Sequence, residues 1–69
     1  MKKHSLNIAG HATSVTLETP FWELFKAIAA ARGLSVNALA TDIDAKRAEA
    51  NLSSAIRVFV LEAVQNVAN

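Results

Sequence analysis

Residues 13–29, TSVTLETPFWELFKAIA, decide the fold, because alternating periodicity changes there into helical periodicity. In the first part, Val15 and Leu17 lie on the same side of a predicted strand, and the residues between them are small and hydroxylated. Thr19-Pro20 follows as a helix start, with threonine as N-cap and proline in the first helical position. The stretch therefore predicts a strand that leads directly into a helix.

Three helices are predicted from apolar residues that recur at helical spacing. The first, at about residues 20–32, ends before Gly33, which tolerates the left-handed conformation of a helix C-cap. Ser35 is the predicted N-cap of the second helix, at about 36–48. The third, at about 52–67, carries a wide apolar stripe, which indicates that it is covered on more than one side.

An additional strand is predicted ahead of the first helix. Residues 4–8 alternate polar and apolar, and the turn Ala9-Gly10 separates them from the strand at about 13–18. The extra strand either extends a ribbon or forms an arm, and the sequence leaves both open. The whole chain, residues 1–69, is predicted to be one mainly α domain with a short N-terminal β segment.

Composition excludes several classes of function. The chain has 69 residues, 52% of them hydrophobic, and no cysteine, so disulfides and thiolate chemistry are absent. Its two histidines have no clustered carboxylates near them, so we expect no metal and no cofactor. No nucleophile–base set and no glycine-rich phosphate loop is present, and Asp42 and Asp44, two apart on a helix, face different directions. We therefore expect no enzyme activity.

A chain this small buries little core and usually needs a disulfide, a metal or a partner chain. A lone strand also leaves its hydrogen-bonding groups unpaired. We therefore expect two copies to pair their strands about a two-fold axis as an intermolecular antiparallel ribbon. A two-stranded ribbon has about the width of the DNA major groove, about 12 Å. The positive charge excess lies at the N-terminal end, at Lys2 and Lys3.

The order of strand, Thr19-Pro20, helix, RGLSVN at 32–37 and second helix resembles the ribbon-helix-helix fold of the Arc and MetJ repressors. The wider sequence is similar to a subgroup of short bacterial ribbon-helix-helix proteins over residues 5–61. The stretches that carry this second resemblance are Ile8–His11, Thr13–Val15, Phe21–Trp22, Ile28–Gly33 and Asn51–Ala55.

The resemblance implies a repressor-like, sequence-specific transcription regulator, an intertwined homodimer that inserts its β-ribbon into the major groove of double-stranded DNA. The outward strand positions that would contact bases are Ala12, Ser14 and Thr16. The residues that would contact phosphates are Ser35, Val36 and Asn37 at the start of the second helix, together with Lys2, Lys3 and His11. The expected dimer core consists of Val15, Leu17, Phe21, Leu24, Phe25, Ile28, Val36, Leu39, Ile43, Ile56, Phe59 and Val60.

An alternative interpretation is a protein-interaction or antitoxin-like module, in which the apolar third helix holds a partner protein. None of the three outward strand residues is charged, which favours this alternative. Apolar runs are short and interrupted by charges, so we expect no membrane association. The two N-terminal lysines are not followed by an apolar segment typical of a secretion signal, so we expect a cytoplasmic protein.

Overall fold

The computed structural model describes residues 1–68, with side chains to residue 66. Two strands precede three helices, as the sequence predicts, but the strands pair with each other within one chain, where the sequence predicts a lone strand that pairs with a second copy. The elements are β1 (Lys2–Ile8), β2 (His11–Leu17), α1 (Thr19–Ala31), α2 (Val36–Lys46) and α3 (Leu52–Ala68). Within the described residues, no helix is long and apolar enough to cross a membrane.

The two strands form a hairpin within one chain. Their register runs from Lys2 opposite Leu17 to Ile8 opposite His11. The two-residue turn has positive φ at both positions, 52° at Ala9 and 83° at Gly10, which is the signature of the type I′ turns that match strand twist. The N-terminal segment, whose role the sequence leaves open, is thus paired with β2 in the single chain. Both strands also begin two residues earlier than predicted.

The start of α1 differs from the prediction by one residue. Glu18, not Thr19, is the N-cap, and no side chain caps this end. The Trp22 N–H donates to the Glu18 carbonyl at 3.0 Å. Pro20 fits either of the first two helical positions because its φ is already helical and its missing N–H has no partner there. Thr19 therefore adopts helical geometry, and the predicted threonine cap is wrong.

The connection from α1 to α2 follows the prediction closely. Gly33 has a φ of 69°, and the Leu34 N–H donates to the Ala29 carbonyl at 2.9 Å, as in a Schellman motif. The Ser35 hydroxyl then accepts from the Ala38 N–H at 3.0 Å and caps α2. The direction of α2 is thus fixed by local hydrogen bonds at both ends of this connection.

The second helix ends at Lys46, two residues before the predicted end. The Arg47 guanidinium donates to the Asp44 carboxylate at 2.6 Å and to the Ala50 carbonyl at 2.7 Å. These bonds close a turn in which Ala48 has a φ of 49°. An ion-paired arginine and a left-handed alanine therefore stop a helix that charged residues alone would allow to continue.

The core lies between the inner side of the hairpin and the three helices. Its buried side chains are Leu6, Ile8, Val15, Leu17, Phe25, Ala29, Leu39, Ala40, Ile43, Ile56 and Val60. Of the residues predicted for the dimer core, four are only partly buried in the single chain, namely Phe21, Ile28, Val36 and Phe59. Leu24 differs most from the prediction, because it is 43% exposed in the single chain.

His4 and Trp22 join β1 to α1 by stacking. Their rings are nearly parallel, 9° apart, with centroids separated by 4.0 Å. His4 is therefore a strand residue whose ring packs on an aromatic side chain. Trp22 is partly buried against the core, in agreement with its position beside the apolar stripe of α1. The contact holds β1 on the helices at the end opposite the turn.

A salt bridge joins the β2–α1 junction to α3 and should make stability depend on pH. Arg57 donates to the Glu18 carboxylate at 2.8 Å, and this hydrogen bond is the main cause that lowers the Glu18 pKa. Because the folded pKa lies below the unfolded one, the stabilisation is complete above the ordinary carboxyl pKa and is lost as pH falls through the lowered value.

We expect Glu18→Gln to lower the urea midpoint at neutral pH, with a smaller difference from the unmodified chain at about pH 3, because the carboxylate takes up protons as the pH falls. The effect is modest because the pair is partly exposed to solvent. Urea unfolding of both chains at the two pH values measures it. A difference that is independent of pH would contradict the assigned role of the carboxylate.

Candidate functional site

The hairpin presents one side to the core and the other to solvent. The solvent side consists of three cross-strand pairs in which every residue is exposed. We call it the outer strand face, and its members are Lys3, Ser5, Asn7, Ala12, Ser14 and Thr16. All three residues predicted to contact bases therefore lie together on one accessible surface.

Strand β1 contributes half of this face. Lys3 lies opposite Thr16, and Ser5 lies opposite Ser14. Directly opposed residues in an antiparallel pair have Cβ atoms about 4.5–5.5 Å apart, so the lysine stands beside the hydroxylated row of β2. The sequence analysis places Lys3 among phosphate contacts and leaves the face without a charge. The structure gives the face a cation.

Ser5 and Asn7 are the functional candidates that the sequence analysis missed. The alternation of residues 4–8 already indicates that Ser5 and Asn7 face outwards, because it assigns Leu6 and Ile8 to the opposite side of the strand. The missing information is the register, which brings Ser5 and Asn7 next to the hydroxylated row of β2.

The N-terminus of α2 lies against the free edge of β1. The Asn37 side-chain oxygen accepts from the Asn7 N–H at 3.0 Å. The Ala38 N–H is occupied by the Ser35 hydroxyl, and the N–H groups of Val36 and Asn37 have no hydrogen-bond partner among residues 1–68. Two free donors at the positive end of a helix dipole favour an anion. Val36 can contribute to this anion site through its main-chain N–H but not through its side chain, which packs on the core.

The opposite edge of the hairpin is partly covered by α3. The Thr16 N–H donates to the Ser53 hydroxyl at 3.2 Å, and Arg57 donates to the Thr16 carbonyl at 3.1 Å. Main-chain groups along a strand alternate in direction, so those of Ala12 and Ser14 point the same way as those of Thr16. Within the described part of the chain they have no partner. The edge is thus open at two residues of β2.

The remaining predicted phosphate contacts lie at opposite ends of the hairpin. Lys2 is exposed opposite Leu17, at the end away from the turn, and His11 is exposed opposite Ile8, beside the turn. Because consecutive strand residues point to opposite faces, both Lys2 and His11 lie on the side of the sheet away from Lys3, at its two ends. Ser35 is exposed at the start of α2, and its hydroxyl is already occupied as a cap.

No arrangement for metal chemistry is found in residues 1–68, since they contain no group of three or more histidine, aspartate or glutamate side chains suited to hold an ion. The strongest feature is the outer strand face with the α2 N-terminus beside it. Both are surfaces for polar or anionic partners, and neither encloses a small molecule.

Comparison with known proteins agrees with this architecture. A family model described as a ribbon-helix-helix domain matches residues 1–64. No curated protein and no solved structure gives a significant match to the chain. The matched region includes both strands, the first two helices and most of α3. The chain therefore belongs to the ribbon-helix-helix family.

Proposed function

We propose that this protein is a DNA-binding transcription regulator that acts as a homodimer and reads the major groove with its outer strand face. Ribbon-helix-helix proteins are generally DNA-binding transcription regulators, and they typically dimerise. The fold of the family is non-enzymatic. The proposal includes a repressor role, because a protein bound in the major groove at an operator blocks the access of other proteins to that DNA.

The outer strand face is the observation that carries this proposal. Its side chains are exposed, short and mostly polar, with hydroxyls at Ser14 and Thr16 and an ammonium group at Lys3. Hydroxyls donate to and accept from either kind of base edge, and the ammonium group of Lys3 stands beside them where phosphates pass. Ala12 is suited to apolar contact with a thymine methyl group.

The dimer of this proposal pairs β2 with β2 of a second copy along the edge that is open at Ala12 and Ser14. A two-fold axis at Thr13 places Ala12 of each copy opposite Ser14 of the other. Four main-chain hydrogen bonds then form without breaking those between Thr16 and α3. The hydroxylated rows of both copies become the central strands of a four-stranded sheet, with β1 on each outer side.

Phosphate contacts in this arrangement come from the flanks. Lys3 lies on the outer strand, beside the central rows, whereas Lys2 lies at the open end of the hairpin on the other side of the sheet, from which it contributes positive charge but no direct contact to the reading rows. The free N–H groups of Val36 and Asn37 lie beyond β1, where the helix dipole favours a phosphate. These contacts fix the position of the protein on the duplex, and the central rows carry the sequence preference.

The test is a fluorescence anisotropy titration with a pool of duplexes that share a randomised centre. Binding should weaken tenfold or more between about 50 mM and 200 mM salt, because each phosphate contact made by the protein releases counterions from the DNA, and salt opposes that release. Selection from the same pool should then enrich a palindromic sequence. No binding at either salt concentration would contradict the proposal.

A second candidate function is a protein-interaction or antitoxin-like module that holds a partner protein on α3. The observation that favours it is the exposure of Val58, Leu61 and Val64 on this helix. Stoichiometric binding of one defined partner together with absent DNA binding would support this candidate over the first.

A further inference from the structure

The third helix has two apolar sides, of which only one is used in the single chain. Ile56 and Val60 are buried in the core. Val58, Leu61 and Val64 are 55%, 52% and 41% exposed, and they follow each other every three residues. Residues three apart are neighbours on a helix surface, so these side chains form one patch. We call it the outer α3 face.

The outer α3 face borders the open edge of β2. Ser53 and Arg57 hydrogen-bond to Thr16 at that edge. Leu61 follows Arg57 by one helical turn, and Val64 follows it by about two, so both lie towards the same side of the helix. A molecule that pairs with the β2 edge is therefore adjacent to these apolar side chains as well.

A groove runs along each side of α3. One, of about 400 Å³, lies against the end of α2 and includes Val58, Phe59 and Glu62 in its lining. The other, of about 340 Å³, lies against α1 and includes Ile28 and Val64. The outer α3 face is therefore a ridge with a groove on each side. A second helix can pack against it with its own side chains in these grooves.

Two opposite charges on the rim of the larger groove have no salt-bridge partner among the described residues. The Arg32 guanidinium lies 5.0 Å from the centre of the Phe59 ring, with no carboxylate in salt-bridge contact. Glu62 lines the same groove and also makes no salt bridge within residues 1–68. A surface with both an unpaired cation and an unpaired anion is complementary to a copy of itself.

We propose that the outer α3 face is a homodimer interface, on which α3 of a second copy packs antiparallel about the same two-fold axis as β2. The axis brings Arg32 of each copy to Glu62 of the other, and Val58, Leu61 and Val64 of both copies form the apolar centre. The second copy is the occupant because an isologous interface needs one self-complementary patch, and this patch has matched charges at its rim. The inference rests on the proposed function, since it identifies what holds the two reading rows together.

The first test is Leu61→Asp, with Leu34→Asp as its matched control. Leu34 is 42% exposed in the α1–α2 connection, outside the outer α3 face. We expect Leu61→Asp to raise the dimer dissociation constant about 100-fold or more, because it buries two unpaired carboxylates in the interface. The control should leave the constant unchanged. Light scattering over a dilution series measures both, and circular dichroism verifies that each variant is folded.

The second test reverses the rim charges. Arg32→Glu and Glu62→Arg should each weaken the dimer about tenfold, because like charges then meet across the axis. Their combination should return the dissociation constant to within about threefold of the original, since the pair is restored with its signs exchanged. A double variant no tighter than the single variants would overturn the proposed pairing.

The outcomes separate this inference from the proposed function. A dimer that Leu61→Asp leaves intact overturns the interface, whether or not the protein binds DNA. If Leu61→Asp dissociates the dimer but the unmodified protein binds no duplex, the interface is supported and the proposed role as a transcription regulator is contradicted. A chain that is monomeric at high micromolar concentration overturns both.

Discussion

Replacing Ser14 with glutamate should weaken duplex binding about 100-fold, because the change sets a carboxylate from each copy against base edges and phosphates, at a cost of several kcal/mol. Ser14 is exposed at the centre of the outer strand face and makes no side-chain hydrogen bond within the described chain. The thermal unfolding midpoint should therefore hardly change. Anisotropy titrations at low salt measure the loss.

Two controls define this prediction. Ser14→Ala removes only one hydroxyl from each copy and should weaken binding no more than about thirtyfold, the value of two hydrogen bonds of about 1 kcal/mol each. Ala27→Glu adds the same charge at an exposed position of α1, away from the face, and should cost far less than Ser14→Glu. Equal losses for Ser14→Glu and Ala27→Glu would show that overall charge, and not this surface, determines binding.

Replacing Phe25 with alanine should strongly destabilise the protein. Phe25 is fully buried, with ring centroids 6.1 Å from Trp22 and 6.4 Å from Phe59. Truncation of such a side chain costs about 3–5 kcal/mol. Small domains have about 0.05–0.15 kcal/mol of stability per residue, so a chain of this length has about 3–10 kcal/mol, and the loss takes about a third or more of it.

Urea unfolding of Phe25→Ala and of Lys26→Ala measures this effect. Lys26 is the next residue of α1, is exposed, and forms a surface salt bridge with Glu23, so its replacement should change stability by less than about 0.5 kcal/mol. If Phe25→Ala unfolds at nearly the same urea concentration as the control, the core does not depend on this side chain.

Local chemistry explains which parts of the fold were predictable. Gly33 and Ser35 set the α1–α2 connection through hydrogen bonds within a few residues, so their roles can be read from the sequence alone. The end of α2 could not be read in this way, because Asp44 and Arg47, three residues apart, would pair as readily along a continuing helix as at its end. The bond from Arg47 to the Ala50 carbonyl, which closes the turn, depends on the path that the chain takes after the helix and not on a residue type.

The candidate site was predictable only in part for a related reason. Alternation assigns Ser14 and Thr16 to the outer side of one strand without any knowledge of the partner strand. The place of Lys3 beside Thr16 depends on a register set by the two-residue turn at Ala9-Gly10. Exposure of the outer α3 face likewise depends on how three helices share one core, which the period of a single helix does not determine.

The most direct test of the account is an NMR titration of the ¹⁵N-labelled full chain with a short duplex at low salt. The outer strand face should show the largest amide shifts, at Ser5, Asn7, Ala12, Ser14 and Thr16, with further shifts at Val36 and Asn37 where phosphates bind. Largest shifts at Val58, Leu61 and Val64 with an unchanged strand face would contradict the account, because DNA would then bind where the second copy is proposed to pack.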